Sequence, residues 1–238
     1  FLNENKSILW ASEKDGWRHL YQVSLEGKPE VLITKGEYDV IDLKHINSKE
    51  GFVYYLASPD NATQKYLYKT KLNGKGKNEL LSPESLKGSH DYSFSSNGTY
   101  AEHTFSNHFT PYSKEFISVA NHKALTEEES ILKNIKKLEE KPTTEFFTIT
   151  TSDNIEMDGW MVKPTNFDPN KKYPVVFYVY SEPAGTTVKD TYNVSRNRNY
   201  NGNMAEDGYI YISLDNRGTP APKGRAWRKS IYRKIGVI

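Results

Sequence analysis

"ILWASEKDGWRHLYQVSLEGKPEVLITKG", residues 8–36, is echoed by "FVYYLASPDNATQKYLYKTKLNGKGKNELLS", residues 52–82. Each unit reads as an apolar strand, a polar turn, a second strand with a Leu-Tyr pair, a glycine turn and a third strand. The pairs are Leu20-Tyr21 and Leu67-Tyr68, and the turns are Leu25-Glu26-Gly27-Lys28 and Leu72-Asn73-Gly74-Lys75. A third unit opens at Asp91 and carries Asn97-Gly98, a strong hairpin signal because both residues tolerate positive φ. Corresponding positions return about every 45 residues, the period of a four-stranded propeller blade. Short strands between glycine turns also fit a β-sandwich, but the echo at blade spacing favours the propeller. Three units do not close a ring, so further blades are expected upstream.

The composition changes at residue 125. "LTEEESILKNIKKLEEKP", residues 125–142, has Thr126 and Glu129 in capping-box spacing, acids early and lysines late. Ile131, Ile135 and Leu138 share a helical face, and Pro142 ends the run. A connector helix over 125–142 is expected, its charges forming a solvated face.

Beyond it the pattern differs again. Glu145–Thr150 and Ile155–Val162 read as a hairpin around Ser152-Asp153-Asn154. Val175–Tyr180 is solidly apolar, as a strand covered on both faces would be. Residues 197–208 allow a short helix ended by Gly208, and Tyr209–Asp215 is another buried strand. Hairpin, strand, helix, strand is how a mostly parallel α/β sheet with an antiparallel first strand begins. The expected class is therefore β plus α/β. Partial β-propeller blades span residues 1–124, the connector 125–142, and the start of an α/β domain 143–238.

Bulk properties exclude several functions. Lysine and arginine number 32 against 30 acidic residues, a formal charge of +2 with interleaved signs, so no basic footprint for nucleic acid is present. Cysteine is absent, which removes disulfides, thiolate metal sites and a cysteine nucleophile. The six histidines show no metal-ligand spacing on a common element, and packing roles are favoured for them. Asn61, Asn97 and Asn193 begin glycosylation sequons, but short Asn-containing turns account for them. The tyrosine-rich strands read as blade packing rather than a base-stacking surface.

Strand ends carry the chemistry in α/β sheets. Tyr180 and Asp215 both sit at such ends, and a tyrosine hydroxyl there can donate to a developing oxyanion. Here the run "KKYPVVFYVYSEPAG" followed by "EDGYIYISLDNRGT", with "DGWRHLYQV" and "ITKGEYDVI" before it, resembles the prolyl oligopeptidase family. It is most similar to the dipeptidyl peptidase IV branch of Bacteroidetes-type bacteria, over nearly the whole chain.

That resemblance implies an eight-bladed propeller followed by an α/β-hydrolase domain, and a serine peptidase that removes N-terminal dipeptides, Xaa-Pro or Xaa-Ala, through an acyl-enzyme. It implies that Tyr180 supplies an oxyanion-hole hydroxyl and that Asp215 and Arg217 brace its loop. It also implies a peptide substrate, no cofactor, no metal, a homodimeric parent, and a periplasmic, secreted or membrane-anchored envelope location. Glu182 replaces the usual glycine of the loop.

No glycine begins a Gly-x-Ser-x-Gly elbow, and all six histidines precede the α/β half. The nucleophile, acid and histidine are therefore expected outside these residues, in a longer protein. The alternative is an inactive relative acting as a peptide- or protein-binding module.

Overall fold

The computed structural model of the chain describes residues 2, 4–135, 144–180 and 182–236. Strands β1 (Ser7–Ser12), β2 (His19–Ser24) and β3 (Val31–Leu32) form an antiparallel sheet. A four-stranded sheet follows: β4 (Val40–Asn47), β5 (Phe52–Ala57), β6 (Tyr66–Lys71) and β7 (Glu79–Leu80), in that order. The third has β8 (Ser89–Phe94), β9 (Tyr100–Ser106), β10 (Ser113–Ser118) and β11 (Lys123–Ala124), again with sequential neighbours paired.

The packing of β5 explains why the three sheets stack. Successive side chains of a strand point to opposite faces. Val53, Tyr55 and Ala57 join Leu20, Ile33, Tyr38 and Val40 in the layer between the first two sheets. Tyr54 and Leu56 enter the next layer with Leu67, Tyr92, Ala101 and Ile117. An apolar strand without alternation is thus one with a sheet on each side, and the result is a propeller-like stack. Inside the first layer the Tyr38 and Tyr55 hydroxyls share a 3.0 Å hydrogen bond, which satisfies two buried polar atoms at once.

The echo in the sequence is real but is cut one strand late. The units beginning at Ile8 and Phe52 start on β1 and β5, whereas the third, at Asp91, starts on β8, which occupies the place of β4. The reading left out β4, β10 and β11. Part of the reason is visible in β4, whose register with β5 shifts between Val40 and Asp42 and again between Leu43 and His45. Each such irregularity breaks the two-residue alternation by which a strand is read.

The connector helix differs from expectation. Among the described residues, only Ile131–Ile135 (α1) is helical, and residues 125–130 form turns. Residues 136–142, the rest of the expected helix, lie outside the described residues. The start moves because Ser130, not Thr126, caps it: Ser130 Oγ accepts from Lys133 N at 3.4 Å, and Glu115 Oε2 accepts the Ile131 N–H at 3.0 Å. Ile131 packs with Leu86 and Phe105 on the third sheet.

The fourth sheet is mixed, with order β12-β13-β15-β14. β12 (Thr144–Thr150) and β13 (Glu156–Val162) form the expected hairpin, with Thr150 opposite Glu156. β15 (Ile210–Leu214) runs antiparallel to β13 and parallel to β14 (Val175–Tyr178). Two corrections apply here. The apolar run was expected to be a strand through Tyr180, covered on both faces. β14 ends at Tyr178, and Phe177 is 59% exposed, because β14 is the sheet's edge and no described element covers it. The helix allowed over 197–208 is a single turn ended by Gly208 at φ 81°, its Asn-rich start spent on side-chain turns such as Asn203 Oδ1 to Ala205 N. A short helix α2 (Gly224–Lys229), for which the sequence reading made no assignment, lies near the end of the described residues. Among the described residues the class is mostly β with two short helices.

Candidate functional site

Tyr180 stands two residues past β14, where the chain leaves the sheet for the segment 182–188. It is 46% exposed, and no described residue hydrogen-bonds its hydroxyl. Its ring lies against Gly185, where an added Cβ would come within 3.3 Å of Tyr180 Cε1. Glu182 is exposed.

Asp215, just after β15, is almost fully buried and satisfied by donors from that segment. Its Oδ1 accepts from Thr187 N at 2.8 Å and Thr187 Oγ1 at 2.9 Å, and its Oδ2 accepts from Val188 N at 3.0 Å. Trp160 on β13 adds an indole N–H to Thr187 O at 3.0 Å. Ser213 Oγ donates to Tyr178 O at 2.7 Å, tying the end of β14 to β15. A carboxylate that accepts several backbone N–H groups orders a loop, since each donor would otherwise be buried unpaired.

Arg217 takes a different position from that expected. Its guanidinium donates to Asp153 Oδ2 at 2.7 Å, in the β12–β13 turn. Among the described residues it braces that turn rather than the segment after Tyr180. Donation from Thr151, and then Arg217, holds the Asp153 carboxyl below the usual carboxylate range.

The structure also joins residues that the sequence separates widely. Asp190 accepts from His108 N and His108 Nδ1, both at 2.8 Å, and from Gln64 Nε2 at 2.7 Å, while its own N–H donates to Thr63 O. It thereby fastens the segment after Tyr180 to the second and third sheets. At the opposite side Asp39 accepts from Arg18 N at 2.6 Å, Gly224 N at 2.8 Å and both terminal nitrogens of Arg228, which also holds Glu13. Nothing in the local sequence signals these pairings, because their partners lie 82 and 189 residues away.

Two clefts flank the fourth sheet. One, of about 910 Å³, is bordered by His108, Thr144 and the segment 193–206; the other, of about 540 Å³, runs between Trp17, Tyr38 and Asp60 on one side and Phe147, Asp158 and Lys223 on the other. Tyr180 borders neither. Its neighbourhood is an exposed phenol on a well-anchored segment, able to donate one hydrogen bond, with no described nucleophile or base beside it.

Comparison with known proteins gives a consistent picture. Residues 1–112 match the family model for the dipeptidyl peptidase IV (DPP IV) N-terminal region. Dipeptidyl peptidase 4 of Trichophyton rubrum is 26% identical over the whole chain, which covers 31% of that protein. The crystal structure of Porphyromonas gingivalis dipeptidyl peptidase 4 superposes with a TM-score of 0.80 at 30% identity, over 99% of this chain and 32% of that one. A putative dipeptidyl aminopeptidase IV from Bacteroides ovatus gives a TM-score of 0.78 at 24% identity, over 98% of this chain and 35% of that one, and shows the shared fold. The chain spans about a third of the length of these relatives.

Proposed function

We propose, from a chain whose first 112 residues match the dipeptidyl peptidase IV N-terminal region family model, that it is a segment of a serine-type dipeptidyl peptidase. The single observation that carries this reading is the likeness to the Porphyromonas gingivalis enzyme along 99% of the chain, through all four sheets rather than the first three alone. On this reading residues 1–124 are propeller blades and 125–142 a connector. Residues 143–238 then begin an α/β-hydrolase domain whose sheet continues past the exposed edge of β14.

The parent would release N-terminal Xaa-Pro or Xaa-Ala dipeptides. A serine outside these residues attacks the scissile carbonyl, forming an acyl-enzyme and releasing the shortened peptide; water then frees the dipeptide. Tyr180 donates its hydroxyl to the oxygen that becomes negative in each tetrahedral intermediate. Its exposure, and a hydroxyl that no described residue engages, support that role, and the Asp215 anchor supports a fixed direction for the donor. No cofactor enters. Export to the envelope and homodimer formation complete the reading on the strength of the family resemblance.

The test is the full-length protein against a glycyl-prolyl chromogenic amide, beside Tyr180→Phe. Loss of one oxyanion donor lowers kcat by about 10²–10³-fold. An active wild type with Tyr180→Phe within twofold of it would remove Tyr180 from the mechanism. A folded but inactive wild type would favour the peptide- or protein-binding module, the reading that Glu182 in the loop supports.

A further inference from the structure

The third sheet buries a line of imidazoles that the peptidase reading does not use. His90 on β8 and His103 on β9 are fully buried, and Glu115 on β10 nearly so. His90 Nε2 lies 2.8 Å from Leu86 O, and His90 Nδ1 lies 2.9 Å from His103 Nε2. His103 Nδ1 lies 2.8 Å from Glu115 Oε1, whose second oxygen accepts the Ile131 N–H.

Counting protons fixes the tautomers. A carbonyl oxygen only accepts, so His90 donates from Nε2. A neutral imidazole carries a single proton, on one of its two nitrogens. His90 Nδ1 is then a lone pair, and His103 donates to it from Nε2. What remains towards Glu115 is the bare Nδ1 of His103. Two acceptors at 2.8 Å need a proton or a cation between them.

A third group converges on the same place. His122, in the turn after β10, sets its Nε2 2.7 Å from Tyr92 Oη, while its Nδ1 is buried without a hydrogen-bond partner. One ligand atom from each of His103, Glu115 and His122 lies within 4.8 Å of the other two. Ligands about 2.0–2.2 Å from a tetrahedral zinc stand roughly 3.4 Å apart, so His103 Nδ1 and Glu115 Oε1, now 2.8 Å apart, part slightly while His122 moves inward to close the set. The remaining atom of each group is already held, by His90, Tyr92 and the Ile131 amide. Metal-binding side chains are typically oriented in this way.

We propose that His103 Nδ1, Glu115 Oε1 and His122 Nδ1 form a structural site for a divalent transition metal, zinc by its donor set, pinning β9, β10 and the turn after β10. Two neutral imidazoles and one carboxylate suit zinc, and the half-buried His122 ring leaves room for water as fourth ligand.

The test uses full-length protein stripped with chelator and dialysed against Zn²⁺, with metal content and Tm measured for wild type, Glu115→Gln and His122→Asn. Gln is informative because its amide donates to His103 Nδ1 and accepts from Ile131, as a protonated Glu115 would. Asn suits the left-handed backbone of His122, at φ 51°. The expected result is one more retained zinc per chain in wild type than in either variant, with a zinc-dependent Tm rise of several degrees confined to wild type. Replacement by Co²⁺ should give visible absorption of a tetrahedral site. No retained zinc in wild type, or the same zinc and the same Tm rise in all three proteins, would overturn the site and leave a proton between His103 and Glu115.

Discussion

At the residue scale, Asp215 shows how a buried carboxylate fixes the segment that follows the proposed oxyanion donor, Tyr180. Its oxygens take three donors from Thr187 and Val188, and each is an acceptor position that only a carboxylate fills without conflict. Asp215→Asn turns one of these acceptors into an N–H facing an N–H. Leaving a buried donor unpaired costs about 1–3 kcal/mol. The segment from Tyr180 to Val188 should then loosen. Limited proteolysis of full-length Asp215→Asn should show a new cut within residues 182–188, and the kcat of the proposed dipeptidyl peptidase activity should fall with little change in KM. Unchanged cleavage and unchanged kcat would mean that Trp160 and Ser213 hold the segment without it. Asp215 was legible in the sequence as a polar residue ending an apolar strand. Its neighbour Arg217 shared that signal, yet it reaches Asp153 instead, and a side chain's direction after a strand end is not written in local sequence.

At the element scale, legibility followed burial geometry. β5 is covered on both faces, so it appears as an unbroken apolar run, and the hairpin β12–β13 sits between clear turn residues. β4 was missed because its register shifts scramble the alternation, and α1 was drawn too long because three consecutive glutamates mimic a first turn that Ser130 and Glu115 in fact provide. β14 misled in the opposite sense. Its apolarity predicts burial, whereas Val175 and Phe177 are exposed at the edge of the sheet. Such an edge offers unpaired backbone groups beside apolar side chains, a template for association. The segment 144–238 produced alone should therefore bind a hydrophobic dye strongly and show no cooperative urea transition. A single sharp transition without dye binding would mean that the fourth sheet is self-sufficient.

At the scale of the whole molecule, the sheets are joined by a few buried charges whose partners no local reading could pair. Asp39 links the first sheet to α2 through the Arg228 guanidinium and the Gly224 amide. Burial alone would push its carboxyl up; Arg228 and the Arg18 and Gly224 amides outweigh it, and Asp39 stays below the usual carboxylate range. A depressed carboxyl stabilises the fold above the unfolded-state value, near pH 4, and that contribution is lost as the pH falls through the lower folded value. Asp39→Ala leaves Arg228 buried with Glu13 alone and should cost about 3 kcal/mol at pH 7, where removing one partner of a buried pair is most felt. Asp39→Asn separates charge from shape. Its Tm should lie below wild type at pH 7, and the gap should close as both proteins are titrated below pH 4, because wild-type Asp39 then becomes neutral as well. A gap that stayed constant down to pH 2 would show that the link rests on hydrogen-bond shape rather than on charge. A pairwise cycle with Arg228→Met should then find no coupling beyond what the amide contacts explain.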